Sequence, residues 1–358
     1  MKKMKALIAM SGGVDSSVAA KLIKDRGFDC IGCTMKLYHN EDAGIPRSHT
    51  CCSLEDVLDA ERVAYQLGIP YYVFNFSYDF KKKVIDKFVD CYIHGITPNP
   101  CIDCNRYMKF DKLLQRGQLL GCDYVVTGHY ARIEKDSETG LFLLKKAVDE
   151  TKDQSYVLYD MTQEQLRHTL FPLGCLHKSE TRKIAEECGF VNAEKPDSQD
   201  ICFVPDGDYA SVIELHTGRK SQPGDFIDEK GNVLGRHKGI IHYTIGQRKG
   251  LGIALGEPVY VCRISAEDNT VTLGKESSLY SRRLVAGNFN WISGKAPAEK
   301  IHCKAKTRYR QKEQWAYAEP SDEGKVRITF DEPQRAITPG QSAVLYDGDI
   351  VLGGGTIL

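Results

Sequence analysis

Three stretches of this chain combine residue types that can do chemistry. The first is Ser11-Gly12-Gly13-Val14-Asp15-Ser16-Ser17, which follows an apolar run at 6–10 and precedes a helical pattern. Paired glycines let backbone N–H groups close on an anion, and Asp15, Ser16 and Ser17 fall at the first helical turn, where unpaired N–H groups favour a phosphate. The second is Asn99-Pro100-Cys101-Ile102-Asp103-Cys104-Asn105, a C-x-x-C pair in a Pro-broken loop. The third is Ser198-Gln199-Asp200-Ile201-Cys202-Phe203. Three kinds of chemistry suit these thiols. Cys202 could carry a persulfide with Cys104 as its partner thiol, since a thiolate attacks sulfur readily. Cys101, Cys104 and Cys202 could instead ligate zinc or an iron–sulfur cluster, or simply be buried thiols.

No GxxxxGK[ST] occurs, so the usual lysine-bearing cradle for β- and γ-phosphates is missing, and no G-x-G-x-x-G follows the first strand. Apart from a plain Gly-Asp turn, what remains resembles the SGGxDSS loop of the PP-loop ATP pyrophosphatases, which cleave ATP between its α- and β-phosphates and leave AMP on the substrate. Further segments narrow the resemblance: Thr50-Cys51-Cys52-Ser53, Glu55-Asp56, Thr127-Gly128-His129-Tyr130-Ala131-Arg132, Lys152-Asp153-Gln154-Ser155, the Cys202 stretch and Tyr243-Thr244-Ile245-Gly246-Gln247-Arg248. In order and nearly end to end, they are similar to the tRNA 2-thiouridylase family.

That resemblance implies ATP-dependent thiolation of the tRNA wobble uridine at C2. By position, Cys104 aligns with the family's nucleophile and Cys202 with its persulfide cysteine, the two forming a transient disulfide that an external thiol reductant reopens. ATP would contact Ala9, Met10, Ser11, Gly12, Gly13, Val14, Asp15, Ser16, Met35 and Gly128. Asn99, Pro100, Cys101, His129, Lys152, Asp153, Gln154, Tyr309, Arg310 and Gln341 would contact tRNA. Magnesium is expected with ATP, and a cysteine desulfurase or sulfur-relay protein would supply sulfur. One departure stands out: many members carry Asp where this chain has Cys101, so either Asp103 or a water takes over proton transfer or that role is not essential, and the extra thiol also suits a cluster. The rivals are a PP-loop ligase of the argininosuccinate or asparagine synthetase kind and a non-catalytic tRNA-binding module.

Composition agrees with a multidomain globular chain. Its 358 residues are 42% hydrophobic and 27% charged with a net charge of zero, so a nucleic acid must be met by a local basic patch. Between Arg282 and Lys312 nine Lys/Arg face one acidic residue, Glu299, and Tyr309-Arg310 within that strip suits a splayed base. The apolar run after the first lysines stops at Ser11, which reads as no secretion signal, and no run approaches the ~18 apolar residues of a membrane span. Thirteen cysteines without an export signal point to reduced thiols in the cytoplasm.

The elements that must position these residues alternate. Strands are expected at 6–10, 30–35, 71–76 and 123–127, and helices after Gly13, from a Ser53-Leu54-Glu55-Asp56 capping box, at 80–94 and at 110–120. That alternation predicts an α/β domain with a doubly wound parallel sheet, with Met35 and Gly128 at strand ends beside the phosphate loop. A hairpin is expected at 131–147, and helices at 162–170 and 179–188. After Phe203 short alternating runs, among them 239–245, 259–264, 270–273, 326–330 and 343–346, predict only β structure. The domains are drawn as 1–204 for ATP binding and catalysis, 205–276 as a small β-rich middle domain, and 277–358 as a C-terminal β-barrel, the last two gripping tRNA.

Overall fold

The computed structural model describes residues 3–38, 54–197, 201–204 and 207–358. Cys51, Cys52 and Ser53, and Ser198, Gln199 and Asp200, lie outside the described residues.

Strands β1 (Lys5–Ala9), β2 (Asp29–Lys36), β3 (Tyr71–Asn75) and β4 (Tyr124–Val126) pair in parallel as expected. The hairpin strands β5 (Ala131–Lys135) and β6 (Phe142–Lys146) follow, then β7 (Thr169–Leu170), which completes a sheet of order β3-β2-β1-β4-β7. The sheet is buried on both faces because successive residues alternate sides. Leu7, Ile31, Cys33 and Val125 pack on one face with the helical stretch 77–93 and Met108, Leu113 and Leu114. Ala6, Ile8, Cys30 and Val126 pack on the other with the helices Val14–Asp25 and Leu54–Gln66.

Two sequence expectations fail here. The stretch 162–170 is a short helix, Gln163–Arg167, ending in strand β7, because Thr169 and Leu170 find an open sheet edge beside Val125 and Val126. The helix expected from 110 starts earlier: Pro100–Asp103 runs into a π-helical segment, Cys104–Lys112, and then Leu113–Leu119.

The middle region holds β8 (Gly224–Ile227), β9 (Val233–His237), β10 (Tyr260–Ser265) and β11 (Thr270–Gly274) in the order β10-β11-β8-β9. It is not purely β. A helix, Tyr209–Thr217, opens it under an Asp208 cap, and the stretch 239–245 forms a short 3₁₀ turn, Ile240–His242, whose apolar residues face the core instead of alternating.

Strands β12 (Tyr280–Trp291), β13 (Ile301–Lys306), β14 (Gln314–Ser321), β15 (Lys325–Arg335), β16 (Ser342–Asp347) and β17 (Ile350–Ile357) close into a barrel through the β12–β17 pairing. Ala286, Ala305, Ala316, Ala318 and Ala343 keep its interior narrow around Ile328, Phe330 and Leu345. The β5–β6 hairpin extends the barrel sheet by pairing Lys145 with Ile350, so the first domain and the barrel share one sheet. Among the described residues no helix is long and apolar enough to cross a membrane.

The basic strip between 282 and 312 is not all surface. Lys306, at the end of β13, is buried and Arg308, just beyond it, is half-buried, while Arg282, Arg283, Lys295, Lys300, Arg310 and Lys312 stay exposed. Arg308 Nη2 lies 3.0 Å from Ile245 O, 3.0 Å from Ala336 O and 2.7 Å from Thr338 Oγ1, joining the middle domain to the barrel. Arg308→Ala strands these acceptors, at a cost of roughly 2–4 kcal/mol. It should lower the urea midpoint of the middle and barrel transitions together, and an unchanged midpoint contradicts the clamp.

Candidate active site

The sheet order sets the loop after β1 between the ends of β2 and β4, the crevice where an open parallel sheet binds ligands. Ala9 ends β1, Met10 is buried and Ser11 is exposed at the turn. Gly12 has φ +76°, and a Cβ there would fall 2.3 Å from Asp56 O, so only glycine fits. Gly13 caps the helix without a side-chain hydrogen bond, leaving the N–H groups of the first turn, Val14, Asp15 and Ser16, without a side-chain cap. Ser16 Oγ donates to Gly13 O at 2.9 Å and accepts from Ser11 N at 3.1 Å, bending the loop back on its own helix. Met35 is half-buried near the end of β2. Gly128 follows β4 so closely packed that a Cβ would come 2.9 Å from Asp15 C and Ser16 N. The residues thus fit an anionic nucleotide tail: a helix N-terminus, a glycine cradle and strand ends on either side.

Sequence reasoning missed the charges that surround the loop. Lys178 Nζ bridges Asp15 at 2.6 Å and Asp197 at 2.7 Å. Asp197 also binds Lys152 at 2.8 Å and Arg182 at 3.0 Å, and Lys195 holds Asp56 and Asp59 at 2.6 and 2.9 Å. Tyr130 donates to Asp15 Oδ1 at 3.0 Å, and Asn192 Nδ2 to Gly12 O at 2.9 Å. Lys178 is 163 positions from Asp15, a separation that no local spacing rule detects. Burial alone would raise the Asp197 pKa, but Lys152 and Lys178 outweigh it and hold the carboxyl at about 2.

The thiols converge on one side of the sheet. Cys104, at the start of the π-helical segment, and Cys202 both pack, half-buried, against the cluster that contains Phe80, Phe88 and Met108. Phe203 sits edge-on to Phe80 at 5.9 Å and Phe88 at 5.2 Å, and the Tyr38 hydroxyl donates to Cys202 O at 2.6 Å, fixing the backbone that carries the sulfur. Cys101 is exposed. Burial first, and the Asp153 carboxylate second, push the Tyr309 pKa up, and its ring lies 6.0 Å from that of Tyr156. Among the described residues no group of three or more His, Cys, Asp and Glu is arranged to hold a metal ion, so the three thiols do not fit a cluster ligand set. Asp103 is buried and paired with Lys87 at 2.7 Å. It lines a cavity of about 210 Å³ with Arg106, Asp160 and Gly340.

Of the remaining candidates, Tyr309 and Arg310 are exposed. Several others are engaged within the protein. Asn99 Oδ1 caps the helix on Cys101 N, and Pro100 occupies its first turn. Asp153 accepts from Ala147 N and Ser155 Oγ, Gln154 Oε1 from Tyr130 N, and Gln341 Nε2 donates to Thr97 O. His129 is buried between Thr127 and Lys109.

A family model described as "tRNA methyl transferase HUP domain" matches residues 4–206. Models described as "tRNA methyl transferase PRC-barrel domain" and "Aminomethyltransferase beta-barrel domain" match 212–275 and 281–357. The chain is 54% identical over 358 residues to a "tRNA-specific 2-thiouridylase MnmA" of Acetivibrio thermocellus, covering 100% of both. The chain belongs to the tRNA-specific 2-thiouridylase family. Relatives of the same name in Clostridioides difficile (53% identical; 99% of this chain, 98% of that protein) and Clostridium acetobutylicum (50%; 99% of each) agree. A PP-loop family implies that ATP is used, which the loop geometry suits.

The charge network yields a pH dependence. The folded Asp197 pKa of about 2 lies below its unfolded value of about 3.8, so the unfolded chain binds the extra proton between them. The carboxylate's stabilising effect is therefore full above the unfolded value and lost as pH falls through about 2. The stability gap between wild type and Asp197→Asn should be largest above about pH 5 and shrink on acidification. A gap that does not change with pH contradicts the ion-paired assignment.

Proposed function

We propose that this chain is a tRNA-uridine 2-sulfurtransferase that thiolates the wobble uridine at C2, with 54% identity over its full length to a protein named tRNA-specific 2-thiouridylase as the observation that carries the reading. The family models are described by methyl transfer instead. Thiolation is favoured because a loop built for an anion, leading to α-phosphate chemistry, stands on the same sheet as two thiols packed against one cluster.

In this reading the everted uridine approaches past Asn99, Pro100 and Cys101, since C2 of a stacked base is out of reach. ATP lies along Ala9 to Ser16, with Met35 and Gly128 flanking it and Mg²⁺ arriving with its phosphates. Uridine O2 attacks the α-phosphorus and pyrophosphate leaves. Cys202 arrives at this step as a persulfide, charged by a cysteine desulfurase or a relay protein. The Cys104 thiolate attacks Cys202 Sγ, a Cys104–Cys202 disulfide forms, and the released sulfide adds to C2 and expels AMP. The sulfane sulfur is reduced as the two thiols are oxidised, so a thiol reductant must restore them each turnover. Tyr309 and Arg310 meet the anticodon loop, with His129, Lys152, Asp153, Gln154 and Gln341 shaping the surface they stand on. The segment 1–204 holds ATP and the thiols, while 205–276 and 277–358 grip the tRNA. The reaction in this reading is a cytoplasmic one.

Mass spectrometry of tRNA nucleosides from cells lacking this protein tests the reading. Wild type should restore 2-thiouridine, whereas Cys202→Ser and Cys104→Ser should each lower it by at least 100-fold. Full restoration by Cys202→Ser, or no loss of 2-thiouridine in the deletion strain, contradicts it.

A further inference from the structure

Lys109 stands five residues after Cys104 in the π-helical segment Cys104–Lys112. Bonds in a π-helix run i→i+5, so these two residues lie one turn apart on the same side. Met108 and Phe110 on either side of Lys109 are buried, but Lys109 itself is half-exposed, so its stem crosses the packed layer. Nζ ends 3.3 Å from His129 Nε2. Among the described residues no carboxylate pairs with it, unlike Lys152, Lys178 and Lys195 around the phosphate loop.

The hydrogen-bond inventory fixes the histidine. An ammonium offers only donors, so His129 Nε2 accepts, and the ring proton sits on Nδ1 and donates to Thr127 Oγ1 at 2.6 Å. Burial first, and the Lys109 charge second, hold the His129 pKa well below its usual value, so the ring stays neutral and keeps that lone pair. His129 therefore spends its one acceptor on aiming Lys109, which keeps two N–H groups for something else. That something is close to the phosphate loop: His129 follows Gly128, where a Cβ would come 2.9 Å from Asp15 C and Ser16 N. The ammonium is thus held by the residue that follows Gly128 at the end of β4, on the helix that carries Cys104.

We infer that Lys109 is a catalytic residue of the proposed reaction, its ammonium hydrogen-bonding a non-bridging oxygen of the α-phosphate during adenylation and again as AMP departs. His129 and Thr127 are positioning residues that act through it. The inference rests on the thiolation reading above. Lys109 takes no part in the bond changes: the O2–P bond forms as the P–O bond to pyrophosphate breaks and the uridine N3 proton passes to water, then the C2–S bond forms as the C2–O2 bond to AMP breaks and the hydrosulfide proton returns to N3. The lysine meets charge that accumulates on phosphate oxygens in both steps. Unlike the lysine of a β- and γ-phosphate cradle, which this loop lacks, it serves the α-phosphate and comes from a helix about a hundred residues away.

The test is tRNA-dependent ATP–pyrophosphate exchange with wild type, Lys109→Met, Lys109→Arg and His129→Asn, alongside tRNA Kd, KM for ATP and melting temperature. Lys109→Met should lower kcat for exchange about 100- to 1,000-fold while tRNA Kd and KM for ATP stay within about threefold. Lys109→Arg should recover at least tenfold of that loss, and His129→Asn should fall between wild type and Lys109→Met. Exchange by Lys109→Met within threefold of wild type overturns the inference, as does a loss confined to tRNA Kd. If Lys109→Met does not fold, Lys109→Arg and His129→Asn decide: both at wild-type kcat, or both inactive with lowered melting temperatures, overturn it as well. Wild type without any exchange would instead sink the thiolation reading, which separates the two failures.

Discussion

Phe203, 1% exposed, is wedged edge-on against Phe80 and Phe88, and that contact determines where the Cys202 sulfur goes. A buried aromatic ring is worth several kcal/mol to its site, far more than any preference of the thiol itself, so the ring sets the position and the cysteine follows. The same cluster receives Met108 and Cys104 from the π-helical segment. Two sulfur atoms distant in sequence thereby share one face of the α/β sheet, and the middle domain's Phe226, Val261 and Val271 continue that packed layer outward. A π-helical stretch, unusual at this length, widens the helix turn that begins at Cys104.

Around this core the phosphate loop is held by charges and by contact at once. Gly12 and Gly128 permit backbone approaches that any Cβ would block, while Asp15, Lys178 and Asp197 form a chain of ion pairs beside the first helical turn. An arriving polyanion would compete with Asp15 and Asp197 for Lys178, and for the Lys152 and Arg182 that also hold Asp197. The barrel is tied to this assembly by three separate devices: the β5–β6 hairpin in its sheet, Gln341 reaching Thr97 O, and Arg308 reaching Ile245 O. Tyr309 is consequently set beside Tyr156 of the first domain instead of riding on a tethered module.

Much of this was legible before any coordinates. The SGGVDSS run, its flanking strand and helix, and the alternation that follows indicated a doubly wound sheet with Met35 and Gly128 at strand ends beside the phosphate loop, because periodicity and glycine placement are local signals. Strand β7 was hidden because two residues carry no periodicity, and the helix Tyr209–Thr217 because its flanks read as β. Lys178, Arg182, Lys195 and Asp197 were not legible as site residues at all: their partners lie far along the chain, and charged residues in a solvated helix look the same in sequence. The basic strip was over-read for a related reason, since Lys306 and Arg308 turn inward only because β13 and the loop after it sit where they do. Lys109 escaped notice because an isolated lysine says nothing until the histidine it touches is known.

The central claim is that Cys104 and Cys202 can meet beside the phosphate loop. Mild oxidation with diamide in the presence of ATP and substrate tRNA, followed by proteolysis and mass spectrometry without reduction, tests it most directly. The account predicts one dominant new cross-linked species joining the peptides that carry Cys104 and Cys202. Cys104 linked only to Cys101, with Cys202 still alkylated in full, would contradict it.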